Sequence, residues 1–240
     1  MFKEIRAEID GMMRRDPAAR SRLEVVFCYP GFHALIFHRI ARAAWRRNWH
    51  VLGRFISHLG RFATAIEIHP GAEIGKGLFI DHGTGVVIGE MSVIGDDVTL
   101  YQGVTLGGVA PSVDSASQRD ARRHPTLENG VIVGSGAQIL GPLTIGTDAR
   151  VGANSVVVKD VPPGVTVTGI PARVVMPKNK RDSQKFMPYG TPIKDVPDPL
   201  VRAIEDLRHE ITALQKRLDE VEGDAPHDSS TASRDTKAAS

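Results

Sequence analysis

Two short segments of this chain carry side chains that could do chemistry, Asp81-His82 and Arg123-His124. An imidazole outside a packed interior can take a proton from a hydroxyl group, because both of its protonation states are accessible near neutral pH. The planar guanidinium of Arg123 suits a carboxylate, since its fork can bind two oxygens at once. These residue types predict a general base in the first segment and an anion-binding site in the second.

A six-residue repeat surrounds both segments, over residues 66–176. An aliphatic residue recurs every six positions, and glycine follows many of these residues, where a tight turn needs a residue without Cβ. A period of six fits neither an α-helix nor an alternating strand, and it predicts a parallel β-helix of short strands joined by turns. The aliphatic positions are Ile68, Ile74, Ile80, Ile88, Ile94, Leu100, Leu106, Leu127, Val133, Ile139, Ile145, Val151 and Val157.

The two chemical segments lie where this repeat is broken. His82 falls at a slip in the six-residue spacing, which leaves its imidazole outside the β-helix, and a polar excursion over residues 108–124 ends at Arg123-His124. Glu67 precedes His82 by fifteen residues, close to the roughly eighteen of one coil, so we expect its carboxylate to stack beside the imidazole and fix its tautomer. Without this setting, a His-Gly or an Arg-His step is more typical of a surface turn.

The remaining sequence divides into helical and linking segments. Residues 1–65 show apolar residues at three- and four-residue spacing, which predicts an N-terminal helical domain whose arginines form a solvated face rather than a membrane-surface helix. A linker and a heptad helix over 177–222 and a tail over 223–240, whose composition predicts disorder, follow the β-helix. The fold class is therefore α+β. The heptad positions are Ile204, Leu207, Ile211, Leu214, Leu218 and Val221.

Composition excludes several classes of function. The 240 residues are 41% hydrophobic and 24% charged, as in ordinary globular proteins, and a net charge of +2 is too small to argue for nucleic-acid binding. No apolar run approaches the ~20 residues of a membrane span, and the N-terminus lacks an apolar signal core, so we expect a cytoplasmic protein without membrane partners. Cys28 is the single cysteine, and its apolar neighbours predict a packed side chain rather than a reactive thiol.

Five motifs of the chain, taken together, resemble the serine O-acetyltransferase family, whose members transfer an acetyl group from acetyl-CoA to L-serine in the first step of cysteine biosynthesis. The resemblance covers nearly the whole chain and is strongest to the shorter bacterial members. It implies a left-handed β-helix and trimers that can pair into hexamers. The motifs are Glu67-Ile68-His69-Pro70-Gly71, Asp81-His82-Gly83-Thr84-Gly85, Thr105-Leu106-Gly107-Gly108, Arg123-His124-Pro125 and Gly169-Ile170-Pro171-Ala172-Arg173.

The resemblance also implies a role for each matching residue. His82 would be the general base, and Glu67, at a place where many members have Asp, would be its orienting carboxylate. Acetyl-CoA would be a co-substrate, with no further cofactor and no metal, and its arm would lie between neighbouring subunits. The serine contacts would be Asp16, Asp81, Arg123 and His124, and the acetyl-CoA contacts would be Gly108, Ser135, Ala153, Arg173 and Lys178.

Two departures from the family bear on regulation and partners. The loop that follows Gly108 is longer than in most members and does not begin Gly-Thr-Gly-Lys, which leaves the response to cysteine, a feedback inhibitor in the family, open. Many members end in an isoleucine that inserts into the active site of O-acetylserine sulfhydrylase, whereas this chain ends Ala238-Ala239-Ser240. The C-terminal sequence therefore argues against that partnership without excluding it.

Other functions are compatible with the same repeat. A hexapeptide acetyltransferase for homoserine or a sugar would also use a loop histidine, but a sugar acceptor would not need the guanidinium of Arg123. A γ-type carbonic anhydrase would hold Zn²⁺ with three histidines, whereas His69, His82 and His124 lack a closely spaced pair. A purely structural β-helix is the remaining alternative.

Overall fold

The computed structural model describes residues 2–109 and 121–175, together with helical residues 208, 210–212 and 214–215. The chain divides into two compact units, Met1–Pro192 and Ile193–Ser240. Lys178, the predicted tail, most of the heptad positions and the middle of the 108–124 excursion lie outside the described residues.

Four α-helices open the first unit, as the three- and four-residue spacing predicts. They are α1 (Phe2–Arg15), α2 (Arg22–Cys28), α3 (Pro30–Trp45) and α4 (His50–Thr64). The side chain of Ser21 caps α2 by accepting a hydrogen bond from the Glu24 amide. Pro30 occupies the first turn of α3, where its missing N–H costs no helical hydrogen bond. Ser21 and Pro30 therefore mark where α2 and α3 begin.

Helix α4 has small residues on the side that packs against the protein and large residues on the side exposed to solvent. Its buried side consists of Gly53, Ser57, Gly60 and Thr64. A Cβ atom at Gly60 would lie 2.8 Å from the Cβ atom of Phe37 on α3, so glycine lets the two helices approach closely. The apolar side chains at three- and four-residue spacing point outward instead. They are Leu52, Phe55, Leu59 and Phe62, with Phe62 89% exposed.

A three-sided parallel β-helix follows α4. Its first sheet contains β1, β4, β7, β10 and β13, its second β2, β5, β8 and β11, and its third β3, β6, β9, β12 and β14, with β15 antiparallel to β14. The strands are β1 (Glu67–Ile68), β2 (Glu73–Ile74), β3 (Phe79–Ile80), β4 (Val87–Ile88), β5 (Val93–Ile94), β6 (Thr99–Leu100), β7 (Thr105–Gly107), β8 (Thr126–Leu127), β9 (Ile132–Val133), β10 (Gln138–Leu140), β11 (Thr144–Ile145), β12 (Arg150–Val151), β13 (Val156–Val157), β14 (Thr166–Thr168) and β15 (Arg173–Val175).

The predicted aliphatic positions form the interior of this β-helix. All of them are buried except Ile74, which is half-buried in the first coil. Each residue stacks on its counterpart one coil away, as in the parallel register of Ile88 with Leu106 and of Leu106 with Ile139. The prediction from the six-residue period is therefore confirmed.

The strand pairing between successive coils gives the length of both insertions in the repeat. Val87 pairs with Thr105, eighteen residues later, which is the length of a regular coil. Glu67 pairs with Val87, twenty residues later, so the slip at His82 adds two residues. Val93 pairs with Thr126, thirty-three residues later, so the excursion adds fifteen. Both insertions are confined to turns, and the sheets continue past them in register.

The three sheets of the β-helix form the faces of a prism, and each insertion occupies a different edge of that prism. The turns from the third sheet to the first hold Asp81 and His82, and we call this edge the His82 corner. The turns from the first sheet to the second hold His69, Glu90, Arg123 and His124, and we call this edge the Arg123 corner. The first sheet separates the two corners.

The side chain of Cys28 is exposed, so the prediction of a packed cysteine is wrong. Cys28 ends α2, a helix in which Val25 is fully buried and Phe27 is 73% exposed. An apolar run in a short surface helix places only one residue in the core.

Among the described residues, no helix combines the length and the apolar character that crossing a membrane requires. In the second unit the described residues of 208–215 are helical, and Thr212 donates a hydrogen bond to the Arg208 carbonyl. Ile211 and Leu214, the two heptad residues within this range, are more than half exposed.

Candidate active site

The His82 corner begins where α3 meets the end of β3. A Cβ atom at Gly31 would clash with the carbonyl oxygen of Ile80, so only glycine lets the first turn of α3 approach this strand. Tyr29 precedes that turn and Asp81 follows that strand. The close packing therefore brings the helical domain and the corner of the β-helix into one site.

A short hydrogen-bonded chain occupies this junction. The Tyr29 hydroxyl donates to Oδ2 of Asp16, and the Ala18 amide donates to Oδ1 of the same carboxylate at 2.8 Å. Burial, together with the carboxylates of Asp16 and Asp81, raises the pKa of Tyr29, so its hydroxyl stays protonated and remains a donor. Asp16 and Asp81, two of the predicted serine contacts, thus both lie near enough to Tyr29 for their charges to act on its hydroxyl.

His82 projects from the same corner into solvent. Its backbone has a φ of +58°, in the left-handed region that few residues other than glycine adopt. The imidazole is 68% exposed, and its Nε2 atom lies 3.9 Å from Oδ1 of Asp81. An exposed imidazole beside a carboxylate can take a proton from a bound hydroxyl group and hold the charge that results.

Glu67 has Arg61 as its charged neighbour in this chain. Its carboxylate forms an ion pair with Arg61 at 3.3 Å, and its backbone neighbour in the next coil is Val87. The turn that holds His82 lies over the start of β1, because the Gly85 amide donates to the Ala65 carbonyl and a Cβ atom at Gly83 would lie 2.5 Å from Cδ1 of Ile66, which precedes Glu67. The orienting role of Glu67 stays a prediction.

At the Arg123 corner the guanidinium of Arg123 meets a carboxylate of its own chain. Nη2 of Arg123 donates to Oε2 of Glu90 at 2.9 Å, and both side chains are about one-third exposed. Glu90 also lies against the turn of the first coil, where a Cβ atom at Gly71 would be 3.1 Å from Cγ of Glu90. Glu90 therefore holds Arg123 against the β-helix.

His124 is buried beside Arg123, with 8% of its surface exposed. Its Nδ1 atom accepts a hydrogen bond from the Met91 amide at 3.3 Å, so the neutral ring carries its proton on Nε2. Burial, and then the charge of Arg123, lower the pKa of His124 and favour this neutral form. His124 is therefore suited to donating a hydrogen bond rather than to taking a proton.

A third histidine, His69, supports this corner from the first coil. Its Nδ1 atom accepts the Gly71 amide at 3.0 Å, and its ring meets Trp45 edge-on with the ring centroids 5.0 Å apart. Burial and the nearby Arg54 lower the pKa of His69 to about 4, so the ring is neutral at physiological pH. His69 acts as a packed link between α3 and the Arg123 corner.

The two corners do not meet within one chain. They are separated by one face of the prism, and six residues at ~3.3 Å each span up to ~20 Å. A molecule the size of an amino acid cannot contact His82 and Arg123 of the same chain across this face.

Known proteins share this architecture and much of this sequence. Residues 124–159 match the family model for the bacterial transferase hexapeptide (six repeats). The chain is 46% identical to the serine acetyltransferase of Synechococcus elongatus over 219 residues, which cover 91% of this chain and 84% of that one. It is 43% identical to the serine acetyltransferase of Bacillus subtilis, with 91% and 95% covered.

A solved structure agrees with these relatives. The Neisseria gonorrhoeae serine acetyltransferase in complex with serine superposes with a TM-score of 0.67 and 37% sequence identity, covering 73% of this chain and 69% of that one. This chain belongs to the serine acetyltransferase family. The predicted fold class, a helical domain followed by a left-handed hexapeptide β-helix, is confirmed.

The residues that the family resemblance assigns to acetyl-CoA are spread over both corners. Ser135 and Ala153 lie at the His82 corner in successive coils, joined by a hydrogen bond of 2.8 Å from the Asn154 amide to the Ser135 carbonyl. Gly108 lies at the Arg123 corner, with its Cβ position 3.6 Å from the Arg123 carbonyl. Arg173 is exposed on β15, and Lys178 is outside the described residues.

Three residues of the site were not predicted from the sequence. Glu90 directly follows Gly89, so counting one coil back from the excursion would have placed it beside Arg123. His69 could have been found by the same count. Tyr29 carries no such signal, because its contact depends on how the helical domain packs. In the described part of the chain, no group of three or more His, Cys, Asp or Glu side chains is arranged to hold a metal ion.

Proposed function

We propose that this member of the serine acetyltransferase family transfers an acetyl group from acetyl-CoA to L-serine, giving O-acetyl-L-serine and CoA, as the first step of cysteine biosynthesis. The observation that carries the proposal is the exposed imidazole of His82 beside the Asp16–Tyr29–Asp81 group. The Neisseria relative was crystallised with serine, which supports the same acceptor here.

The geometry supports a direct transfer by general-base catalysis. Asp16 and Asp81 would receive the ammonium group of serine, and Arg123 and His124 of a neighbouring chain its carboxylate. As the serine oxygen attacks the thioester carbonyl carbon, His82 takes the hydroxyl proton. The tetrahedral intermediate then loses the C–S bond, and the imidazolium returns the proton to the departing sulfur of CoA. No covalent enzyme intermediate is required.

The proposal includes a trimer in which each active site lies between two chains. Two observations support it. The predicted serine contacts lie on two corners that one serine molecule cannot bridge within a chain, and α4 presents an outward apolar face that includes Phe55 and Phe62. Such faces on soluble proteins mark association surfaces. Pairing of trimers into hexamers belongs to the same proposal.

The acetyl-CoA arm would then lie along the groove between prisms. Coils repeat every ~4.8 Å, so the line from His82 through Ser135 to Ala153 is roughly 14 Å long, which suits an extended chain. We include no other cofactor. We place the reaction in the cytoplasm, because a chain with one cysteine forms no internal disulfide and is suited to a reducing compartment.

An acceptor screen with acetyl-CoA tests the proposal. The purified protein is supplied with L-serine, L-homoserine, L-threonine or an amino sugar, and release of free CoA thiol is followed. We expect kcat/KM for L-serine to exceed that for every other acceptor by at least ~10-fold, since the unpaired polar groups of a site built for serine penalise a poor fit. Preference for homoserine or a sugar would replace serine with another acceptor.

A further inference from the structure

We propose that Tyr29 is a positioning residue that fixes the Asp16 carboxylate in the orientation that receives the amino group of serine. This role rests on the proposed function and adds to it a residue from the junction of α2 and α3. Tyr29 acts through Asp16 and does not itself take part in acetyl transfer.

The first argument is that both oxygens of Asp16 are occupied. The Ala18 amide donates to Oδ1 at 2.8 Å, and the Tyr29 hydroxyl donates to Oδ2. The Asp16 amide donates to the Met12 carbonyl at 2.9 Å, which fixes the backbone at the end of α1. Among the described residues, loss of the Tyr29 hydroxyl would leave the Ala18 amide as the one donor to the carboxylate, so the group could rotate.

The second argument is that Tyr29 is itself held from both sides. Its amide donates to the Val25 carbonyl of α2, and its carbonyl accepts the His33 amide of α3. Two residues further on, Gly31 packs against the carbonyl of Ile80, next to Asp81. Asp16 follows α1 in the helical domain, whereas the His82 corner belongs to the β-helix. The Tyr29 hydroxyl therefore sets the position of Asp16 relative to that corner.

Tyr29 is an uncharged donor to Asp16. The raised pKa of Tyr29 keeps its hydroxyl protonated, so the donor supports Asp16 without adding charge to the site. Two carboxylates, Asp16 and Asp81, then remain to attract the positive amino group. A cationic donor in the same place would repel that group, whereas a phenol does not.

A double-mutant cycle tests the role. Tyr29→Phe keeps the ring that packs on the core and removes only the hydroxyl. Because a hydrogen bond to a charged group is worth roughly a factor of ten or more, we expect kcat/KM for L-serine to fall roughly tenfold. The decrease should come from the serine KM, while kcat and the acetyl-CoA KM change by less than about twofold. In an Asp16→Asn background the same substitution should have almost no effect.

The structure offers a matched control in the same two helices. Arg22 on α2 donates to Asp10 on α1 at 2.6 Å, a second tie between α1 and α2 that does not touch Asp16. Asp10→Asn should leave the serine KM unchanged. Equal losses from Tyr29→Phe in both backgrounds, or the same loss from Asp10→Asn, would show that Tyr29 only packs the helices and would overturn the proposal. Absence of serine turnover in the unmutated protein would instead refute the proposed function.

Discussion

The two corners of the β-helix use histidine in opposite ways. At the His82 corner the imidazole is 68% exposed, stands in a turn lengthened by two residues and has carboxylates as neighbours. At the Arg123 corner His124 is 8% exposed and receives a backbone hydrogen bond on Nδ1. The comparison teaches that environment assigns the role: an exposed ring can exchange protons, whereas a buried neutral ring serves as a fixed donor.

Loss of the exposed histidine should have the largest effect on activity. We expect His82→Asn to lower kcat by ~10²- to 10⁴-fold, the usual contribution of a positioned general base. Asparagine tolerates the left-handed backbone at φ +58° better than alanine does, so the turn should persist. Steady-state kinetics and thermal unfolding measure the two properties. Near-normal kcat in the folded variant would remove His82 from the mechanism.

A mixing experiment asks whether the two corners of one site belong to different chains. His82→Ala and Arg123→Ala chains are co-expressed with separate tags, and assemblies that carry both tags are purified. If each site combines one corner from each of two chains, every mixed trimer regains one of its three sites, so about one third of the sites in the purified assemblies should be active. Each variant alone stays nearly inactive. A mixture no more active than its parents would mean that both corners act from the same chain.

A conservative change at the Arg123 corner should have a moderate effect. Arg123→Lys keeps the charge but removes the fork that binds two carboxylate oxygens. We expect the serine KM to rise roughly 10- to 100-fold, since hydrogen bonds to charged groups contribute ~1.5–3 kcal/mol, and the acetyl-CoA KM to stay nearly constant. Serine amide, which lacks the carboxylate charge, is the control substrate. Equal losses with serine and its amide would mean that Arg123 only shapes the loop.

Gly89 tests how closely His124 is held. A Cβ atom at Gly89 would clash with the His124 ring and lie 2.9 Å from the Leu106 carbonyl oxygen. We expect Gly89→Ala to reduce stability by ~1–3 kcal/mol, as overpacking does, and to raise the serine KM by displacing His124. Denaturant unfolding and kinetics report the two effects. Gly11→Ala, in helix α1, where a Cβ atom meets nothing closer than 3.7 Å, is the control and should retain full stability.

The smallest effect under ordinary conditions should come from His38 in the helical domain. Burial, and then Arg42 and Arg39, lower the pKa of His38 to about 4, against about 6.5 when the chain is unfolded. The unfolded chain therefore binds the extra proton first, and stability is lost as the pH falls from about 6.5 to about 4, by on the order of 3 kcal/mol. His38→Leu should flatten this part of the stability curve. An unchanged pH dependence would assign the acid sensitivity to other groups.

The sequence predicts the positions of residues in the β-helix, where one spacing rule repeats. It does not predict the contacts that form where two parts of the fold meet. The position of Leu106 inside the prism follows from counting sixes, and its burial depends only on neighbouring coils. The contact of Tyr29 with Asp16 depends on how the end of α1 packs against the turn between α2 and α3, which no local pattern encodes. The length of the first coil was not predicted for a related reason, because the slip at His82 gives it twenty residues where a regular coil has eighteen.

The excursion between β7 and β8 has a consequence for how the sequence of this protein can vary. Fifteen residues enter the chain there, and Val93 and Thr126 still pair in register. A change of length at this point leaves every buried position of the β-helix untouched. The segment can therefore change in length or sequence without a change in the interior, and a protein engineer could graft a new sequence there while keeping His82 in place.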